Sequence, residues 1–178
     1  MNRYISLFFI ILIFLTGSQA FEGGSGTSSD PYLIGDCFQL QDISNDLSAY
    51  YELSSDIDCE GNSFTPIGTE SNPFTGSLDG SGNSVKDIEI QETFTIGLGM
   101  FGLSNGDISD LIVENVDVSA SNNNNDAGVG GLAGVNEGTI TRVGITGEVS
   151  GQDNVGGLVG NNRGGVIQRS YSTVHTSG

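Results

Sequence analysis

Apolar residues in the middle of this chain alternate with polar ones in short bursts. Leu111 and Val113 lie on one face, Glu114-Asn115 follow, and Val116 and Val118 then alternate in the same way. A period of two is the mark of a strand with one buried face, and no helical apolar period separates the bursts. Each burst therefore predicts a strand of about three to five residues, with Glu114-Asn115 as a corner and Gly and Asn as the punctuation between strands.

The bursts repeat. Shifting the chain by 26 residues lays Gly131-Leu132-Ala133-Gly134 on Gly157-Leu158-Val159-Gly160, Asn136 on Asn162, Gly138 on Gly164 and Ile140 on Val166. A weaker copy lies 32 residues earlier, where Gly99-Met100-Phe101-Gly102, Gly106 and Ile108 take the same places. The six extra residues of that interval fit the polar run from Ser121 to Asp126, which predicts a loop between repeats. One such turn-strand unit cannot bury its apolar face alone. Stacked units can, because each strand pairs in parallel with its equivalent one coil later, about 4.8 Å away, and the inward side chains form one core. The expected fold is all-β: a parallel β-helix, or β-solenoid, right-handed as parallel connections are, with coils of about 22 to 32 residues.

Towards the N-terminus the pattern loosens. "YYELSSDIDC" and "SVKDIEI" predict short strands, and the intervening segment is rich in turn residues, including Asn72-Pro73 and the Gly80 to Asn83 cluster. Before them, Arg3, an apolar run from Ile5 to Leu15 and Ser18-Gln19-Ala20 predict a secretory signal peptide over residues 1–20. That run is too short to span a bilayer, which takes about 20 residues. Residues 21–178 then form a single solenoid domain, with capping and lead-in coils over 21–95 and three repeats over 96–178. At Gly178 a further coil is due, so the chain either continues as part of a larger repeat protein or is closed by another element. Export places Cys37 and Cys59 in an oxidising compartment, where a disulfide is the default state. Their separation is about one coil, and equivalent positions on stacked strands fall within the Cα distance a disulfide tolerates.

The units Gly131-Leu132-Ala133-Gly134 and Gly157-Leu158-Val159-Gly160 resemble the GLUG motif found in repeats of bacterial and archaeal surface proteins, including adhesins and regions of some secreted IgA peptidases. "GGLVGNNRGGVIQRSYST" resembles a whole such unit, and the segment from Tyr50 to Ile90 resembles the lead-in to these repeats. The first copy departs from the motif in carrying Met100-Phe101, and the last in reading Tyr171-Ser172-Thr173-Val174 where the preceding copy has a Gly-polar step. The resemblance implies a solenoid stalk or binding surface on an exported protein and brings no catalytic residue with it.

Composition narrows the partners. After Ala20 the bases are Lys86, Arg142, Arg163 and Arg169, against 22 Asp and Glu. Such a surface repels nucleic acid and anionic lipid. It suits a high-salt setting, and equally the acidic habit of secreted repeat proteins. Several candidate chemistries fail on their own terms. Gly97 to Gly102 satisfies G-x-G-x-x-G, and Gly128 to Ala133 its Ala-ended variant, but Asn105-Gly106 and Asn136 to Gly138 break any helix that could face a pyrophosphate. "DGSGN" from Asp79 to Asn83 has the alternating oxygens of a calcium loop, yet Ser84 stands where the turn wants Gly and Ile90 where a bidentate Glu belongs. Asp56 and Asp58 share a strand face and could form an acid/base pair; they equally make two solvated outward residues, with no Arg or Lys placed nearby by the sequence. His175 is the one histidine, and no G-x-S-x-G elbow occurs. Arg142 and Arg169 read as surface residues on neighbouring coils.

No catalytic residue, cofactor or metal ligand is therefore expected. Two function classes remain: a non-enzymatic surface module for adhesion, spacing or cell-envelope display, with an unknown glycan or protein ligand, and a carbohydrate-binding or carbohydrate-cleaving β-helix, or accessory module of a larger secreted enzyme. The absence of Trp and of an outward row of Tyr favours the first.

Overall fold

The computed structural model describes residues 20–92, 95–121 and 123–178. The expected signal peptide, up to residue 19, lies outside them. In chain order the elements are β1 (Tyr32–Ile34), helix α1 (Cys37–Asp42) with a 3-10 turn at Ile43–Asn45, β2 (Tyr50–Leu53), β3 (Ile57–Asp58), β4 (Ser77–Asp79), β5 (Ser84–Lys86), β6 (Glu89–Glu92), β7 (Thr95–Leu98) and β8 (Phe101–Ser104). There follow β9 (Asp107–Ala120), β10 (Asn123–Gly130), β11 (Ala133–Asn136), β12 (Thr139–Ser150), β13 (Val155–Gly156), β14 (Val159–Asn162), β15 (Val166–Gln168) and β16 (Tyr171–Ser177).

Every pairing between these strands is parallel, as stacked coils require. One sheet runs β1-β2-β4-β9-β12-β15, with β3, β5, β6 and β16 joined at its side, and two further sheets run β7-β10-β13 and β8-β11-β14. The molecule is a β-solenoid of about four turns. Alternation of side chains puts Ile108, Leu111, Val113, Val116 and Val118 of β9 inside, and Ile140, Val143, Ile145 and Val149 of β12 stack on them. Phe74 and Phe101, fully buried with ring centroids 5.0 Å apart, fill the core one turn earlier. The stacked apolar columns make one continuous core from Ile34 to Val149.

Several expectations are corrected. The strands at Leu111 to Val118 are not separate short pieces. β9 runs through all of them and pairs in turn with β4, β5 and β6 of the previous coil. It turns the expected corner without breaking its ladder, because Asp110 and Asn115 adopt left-handed backbone with φ of 52° and 54°. Single left-handed residues bend a strand, and Asn and Asp tolerate them best because their short polar side chains can hydrogen-bond locally. The Ser121 to Asp126 run is likewise no free loop: β10 takes up most of it, and the extra residues appear as a register break between Asn123, opposite Thr95, and Gly128, opposite Gly97. The register of the last two coils also changes. Asn136 does lie opposite Asn162, but Ile140 pairs with Ile167 rather than Val166. The Gly164-Gly165 step, with Gly164 at φ 82°, absorbs the extra residue.

The N-terminal end is closed by elements the strand pattern does not foretell. Asp36 caps α1, its Oδ1 accepting the Gln39 N–H at 2.8 Å, while Gln39 Oε1 accepts the Gly35 N–H at 2.7 Å. Phe21 stacks on Tyr32 at 4.5 Å, and both rings meet Tyr51. Cys37 and Cys59 form a disulfide with Cα atoms 5.2 Å apart. The bond does not join equivalent strand positions: Cys37 opens α1 and Cys59 follows β3, so the link ties the capping helix to the next coil.

Candidate functional site

The repeated glycine segments come first, because they had the look of ligand loops. Gly131 and Leu132 turn the chain between β10 and β11, and their amides donate to the carbonyls of Gly157 and Leu158 at 3.2 and 3.0 Å. Ala133 pairs with Val159 on one side and Phe101 on the other, so the copies stack directly. Neither Gly134 nor Gly160 needs left-handed backbone; each is small because the facing strand passes so close. A Cβ at Gly134 would stand 2.2 Å from the Leu98 nitrogen, and one at Gly160 would stand 2.2 Å from the Val129 nitrogen. Tight corners alone thus do not explain the motif. Its glycines let two backbones meet at the narrow edge of the coil, and Leu132 and Ala133 are fully buried beside them. Leu158 and Val159 are half-buried, since no described coil covers them. After Gly97 to Gly102 the chain enters further strand, so no helix terminus is available to a phosphate there.

A second buried column is polar. Asn136 is fully buried; its Nδ2 donates to Asn162 Oδ1 at 2.8 Å and its Oδ1 accepts the Gly138 N–H at 3.3 Å. Its neighbour on the preceding coil, Ser104, is also fully buried, and the Ser104 hydroxyl finds no hydrogen-bond partner. Satisfied amide ladders of this kind fix register between coils.

The outward faces carry the chemistry that a partner would meet. Asp56, just before β3, and Asp58, on it, are not a free pair. Asp56 Oδ1 accepts the Ser84 N–H at 2.8 Å and the Ser84 hydroxyl at 3.1 Å. Asp58 forms an ion pair with Lys86 at 2.7 Å and accepts the Glu60 N–H at 2.9 Å. Lys86 comes from the next coil, where the sequence alone did not place it. These hydrogen bonds hold both carboxyls below the usual carboxylate range, and the Asp58 contact pushes the Lys86 ammonium up. Both carboxylates are ionised and Lys86 is cationic at neutral pH, so this group offers neither a proton donor of suitable pKa nor a neutral amine base.

At the next corner Asp110, Arg142 and Arg169 form a column of left-handed residues. Arg142 clasps Asp110 with Nε and Nη2, a bidentate contact that lowers the Asp110 pKa and raises that of Arg142. Asp79 to Asn83, the segment that resembles a calcium loop, is a turn whose oxygens serve the protein: Asp79 Oδ1 accepts the Ser81 N–H at 2.8 Å, and Ser81 Oγ donates to Glu52 at 2.8 Å.

Long outward columns lie along β6, β9, β12 and β16. Ser63, Glu89, Asp117, Glu148 and His175 occupy one position on successive coils, and Gln91, Ser119, Ser150 and Ser177 the position two residues on. At the N-terminal head of these columns opens a shallow cleft lined by Asn62, Ser63, Phe64, Thr65, Glu89 and Gln91. Carboxylates directly opposite one another repel, so Glu89, Asp117 and Glu148 are held in line by the core beneath them. Sequence reading missed this column because its members belong to different coils with different spacings, and only the register brings them together.

Fold and surface together define the class: a parallel β-solenoid, sealed at its N-terminal end, with polar and acidic ladders outside. No protein-family model matches the chain. It is similar to Halomucin of Haloquadratum walsbyi, 38% identical over 173 residues, an alignment that takes in 89% of this chain and 2% of Halomucin. It is also similar to a protein of Evansella cellulosilytica provisionally named a Gly-rich membrane protein, 31% identical over 138 residues, covering 72% of this chain and 16% of the other. The chain thus spans a small fraction of the length of these relatives. Among solved structures it resembles a Bacteroides ovatus protein provisionally named an immunoglobulin A1 protease, with TM-score 0.64 and 21% identity over 89% of this chain and 62% of that one. That likeness shows the solenoid fold alone.

Proposed function

We propose that this chain is a non-enzymatic module of an exported surface protein, a GLUG-type β-solenoid that holds polar and acidic side chains in fixed ladders for attachment or cell-envelope display. The observation that carries the reading is the outward column Ser63-Glu89-Asp117-Glu148-His175, which repeats one chemical position along a rigid core. A ladder spaced at about 4.8 Å per coil presents a stiff linear array, suited to an extended glycan or polypeptide rather than to a compact substrate. Two observations support an extracellular setting: the Cys37–Cys59 disulfide, a bond that persists in oxidising compartments, and the sequence relationship to Halomucin. The non-catalytic part of the reading is supported by Asp56 and Asp58, whose oxygens are already engaged by Ser84, Lys86 and Glu60. Binding to a glycan array, run beside a reducing-sugar assay on neutral and acidic polysaccharides, tests it. Binding without turnover is expected, and turnover of any polysaccharide sinks the proposal.

A further inference from the structure

The cleft at the head of the outward columns has a chemistry of its own. Ile88 and Ile90 point into the core, so Glu89 and Gln91 point out. Phe64 is buried in the same way, which leaves Ser63 and Thr65 exposed on either side of it. Ser63 bridges to Glu89 in parallel register, so hydroxyls, a carboxylate and a carboxamide from two coils meet in one small grid. The cleft holds about 370 Å³. That is near the lower end of the roughly 300 to 1,000 Å³ of small-molecule sites, and it suits a short segment of a chain rather than a folded partner.

The polar groups are set for a ligand that both donates and accepts. Gln91 Nε2 donates to Glu89 Oε1 at 2.6 Å, which orients both side chains. The second carboxylate oxygen and the Gln91 carbonyl oxygen are acceptors, the second amide N–H is a donor, and the hydroxyls of Ser63 and Thr65 do either. Neighbouring sugar hydroxyls have the same double capacity. Charge narrows the class. Glu89 is the one charged residue in the lining, and Lys86, three residues before it, is held by Asp58. No cation lines the cleft to meet a uronate or sulfate, and Asp117 and Glu148 follow Glu89 on a chain of formal net charge −17. A polypeptide finds little to grip. Phe64 is only 6% exposed, and the Thr65 backbone is already closed by Gln41, whose Oε1 accepts its N–H at 2.7 Å and whose Nε2 donates to its carbonyl at 3.0 Å.

We propose that this cleft is a binding site for a neutral glycan, held by Glu89 and Gln91 with Ser63 and Thr65, whose chain continues along the outward columns towards Asp117 and Ser119. The proposal rests on the reading of the chain as a non-enzymatic surface module and narrows its extended ligand to an uncharged sugar chain. Hydrogen bonds supply the affinity, because no exposed ring is present in the lining to stack on a sugar face.

The test is an amide NMR titration of the chain with cellohexaose, mannohexaose and xylohexaose in turn, with an oligogalacturonate and poly-L-lysine as charged counterparts. At least one neutral hexasaccharide should shift the amides of Asn62 to Thr65, Glu89 and Gln91. Its affinity should be the same in about 0.1 M and about 1 M sodium chloride, because screening acts on charge pairs and this contact has none. Glu89→Ala and Gln91→Ala should each weaken binding by about fivefold or more, with the rest of the amide spectrum unchanged, whereas Asp107→Asn, in the ladder of β4 and β9, should leave it alone. Four results would each overturn the proposal: no shift from any neutral hexasaccharide up to about 10 mM, shifts confined to other residues, unchanged affinity in either cleft variant, or tighter binding of the oligogalacturonate or of poly-L-lysine. None of them touches the non-enzymatic reading, which falls on turnover of a polysaccharide.

Discussion

The sulfur of Cys37, the first residue of α1, is bonded to that of Cys59 just beyond β3, so a helix outside the repeat pattern is tied to the coil it covers. The bond closes a segment of 22 residues. Closing a loop of that length stabilises by about 3 kcal/mol in the chain-entropy account. A Cys37→Ala/Cys59→Ala double variant should lose about that much in urea unfolding, with its first coils becoming the earliest to exchange. Mass spectrometry of the native chain without reductant should find no free thiol, and detection of two thiols would refute the link.

Leu132 and Leu158 occupy equivalent places on successive coils but differ in cover. Leu132 is fully buried, whereas Leu158 is half-buried on the last described coil. Truncating a fully buried Leu to Ala costs about 2 to 5 kcal/mol. Leu132→Ala should therefore fall in that range by denaturant titration, and Leu158→Ala clearly below it. A bulky polar replacement at Leu158 should loosen the last coil, seen as faster exchange in β13 to β16 with the N-terminal coils unchanged. Equal losses at the two leucines would contradict the stacking order.

Contact with Arg142, chiefly its hydrogen bond, holds the Asp110 carboxyl below its ordinary value. A carboxyl with a lowered folded-state pKa adds stability above its unfolded pKa of about 3.9, and loses it as pH falls through the folded value. Asp56 and Asp58, also lowered, act with the same sign. Thermal midpoints should hold steady from neutral pH to about pH 4 as far as these groups are concerned, then decline. The Asp110→Asn variant should start lower and decline less steeply. Because the pair is exposed to solvent, its contribution is expected to be small.

Salt should act in the opposite direction to a simple ion-pair argument. The ion pairs involve Lys86, Arg142 and Arg163, while the sequence carries 22 acidic residues, including the aligned Glu89, Asp117 and Glu148. Shortening the screening length from about 10 Å at 0.1 M to about 3 Å at 1 M weakens far more repulsions than attractions. The melting midpoint should rise with sodium chloride over that range. A fall would mean that the few pairs outweigh the ladder.

The solenoid itself was legible because the alternation at Leu111-Val113 and Val116-Val118 survives in the pairing of β9 with β12, and the repeat at Gly131 and Gly157 in that of β10 with β13 and of β11 with β14. What escaped notice depended on single residues that change register. Gly164-Gly165 adds one residue, so Ile167 and not Val166 meets Ile140. Asp110 and Asn115 bend β9 without ending it. An earlier rung was also missed: Ile67 bridges to Phe101 and Phe74 to Ser104, although Thr69 to Pro73 interrupt the motif between them. The capping helix did leave a sign, in Asp36 and Gln39 three residues apart, the spacing of a capping pair. The acidic column left none, because its members are related only through the register of separate coils.

The register break in β10 has a practical meaning. Between Asn123 and Gly128 the strand carries residues for which β7, spanning Thr95 to Gly97, has no counterpart, and on either side the ladder resumes. Two neighbouring coils can thus differ in length at this edge and still share one ladder, since Gly128 and Val129 again meet Gly97 and Leu98.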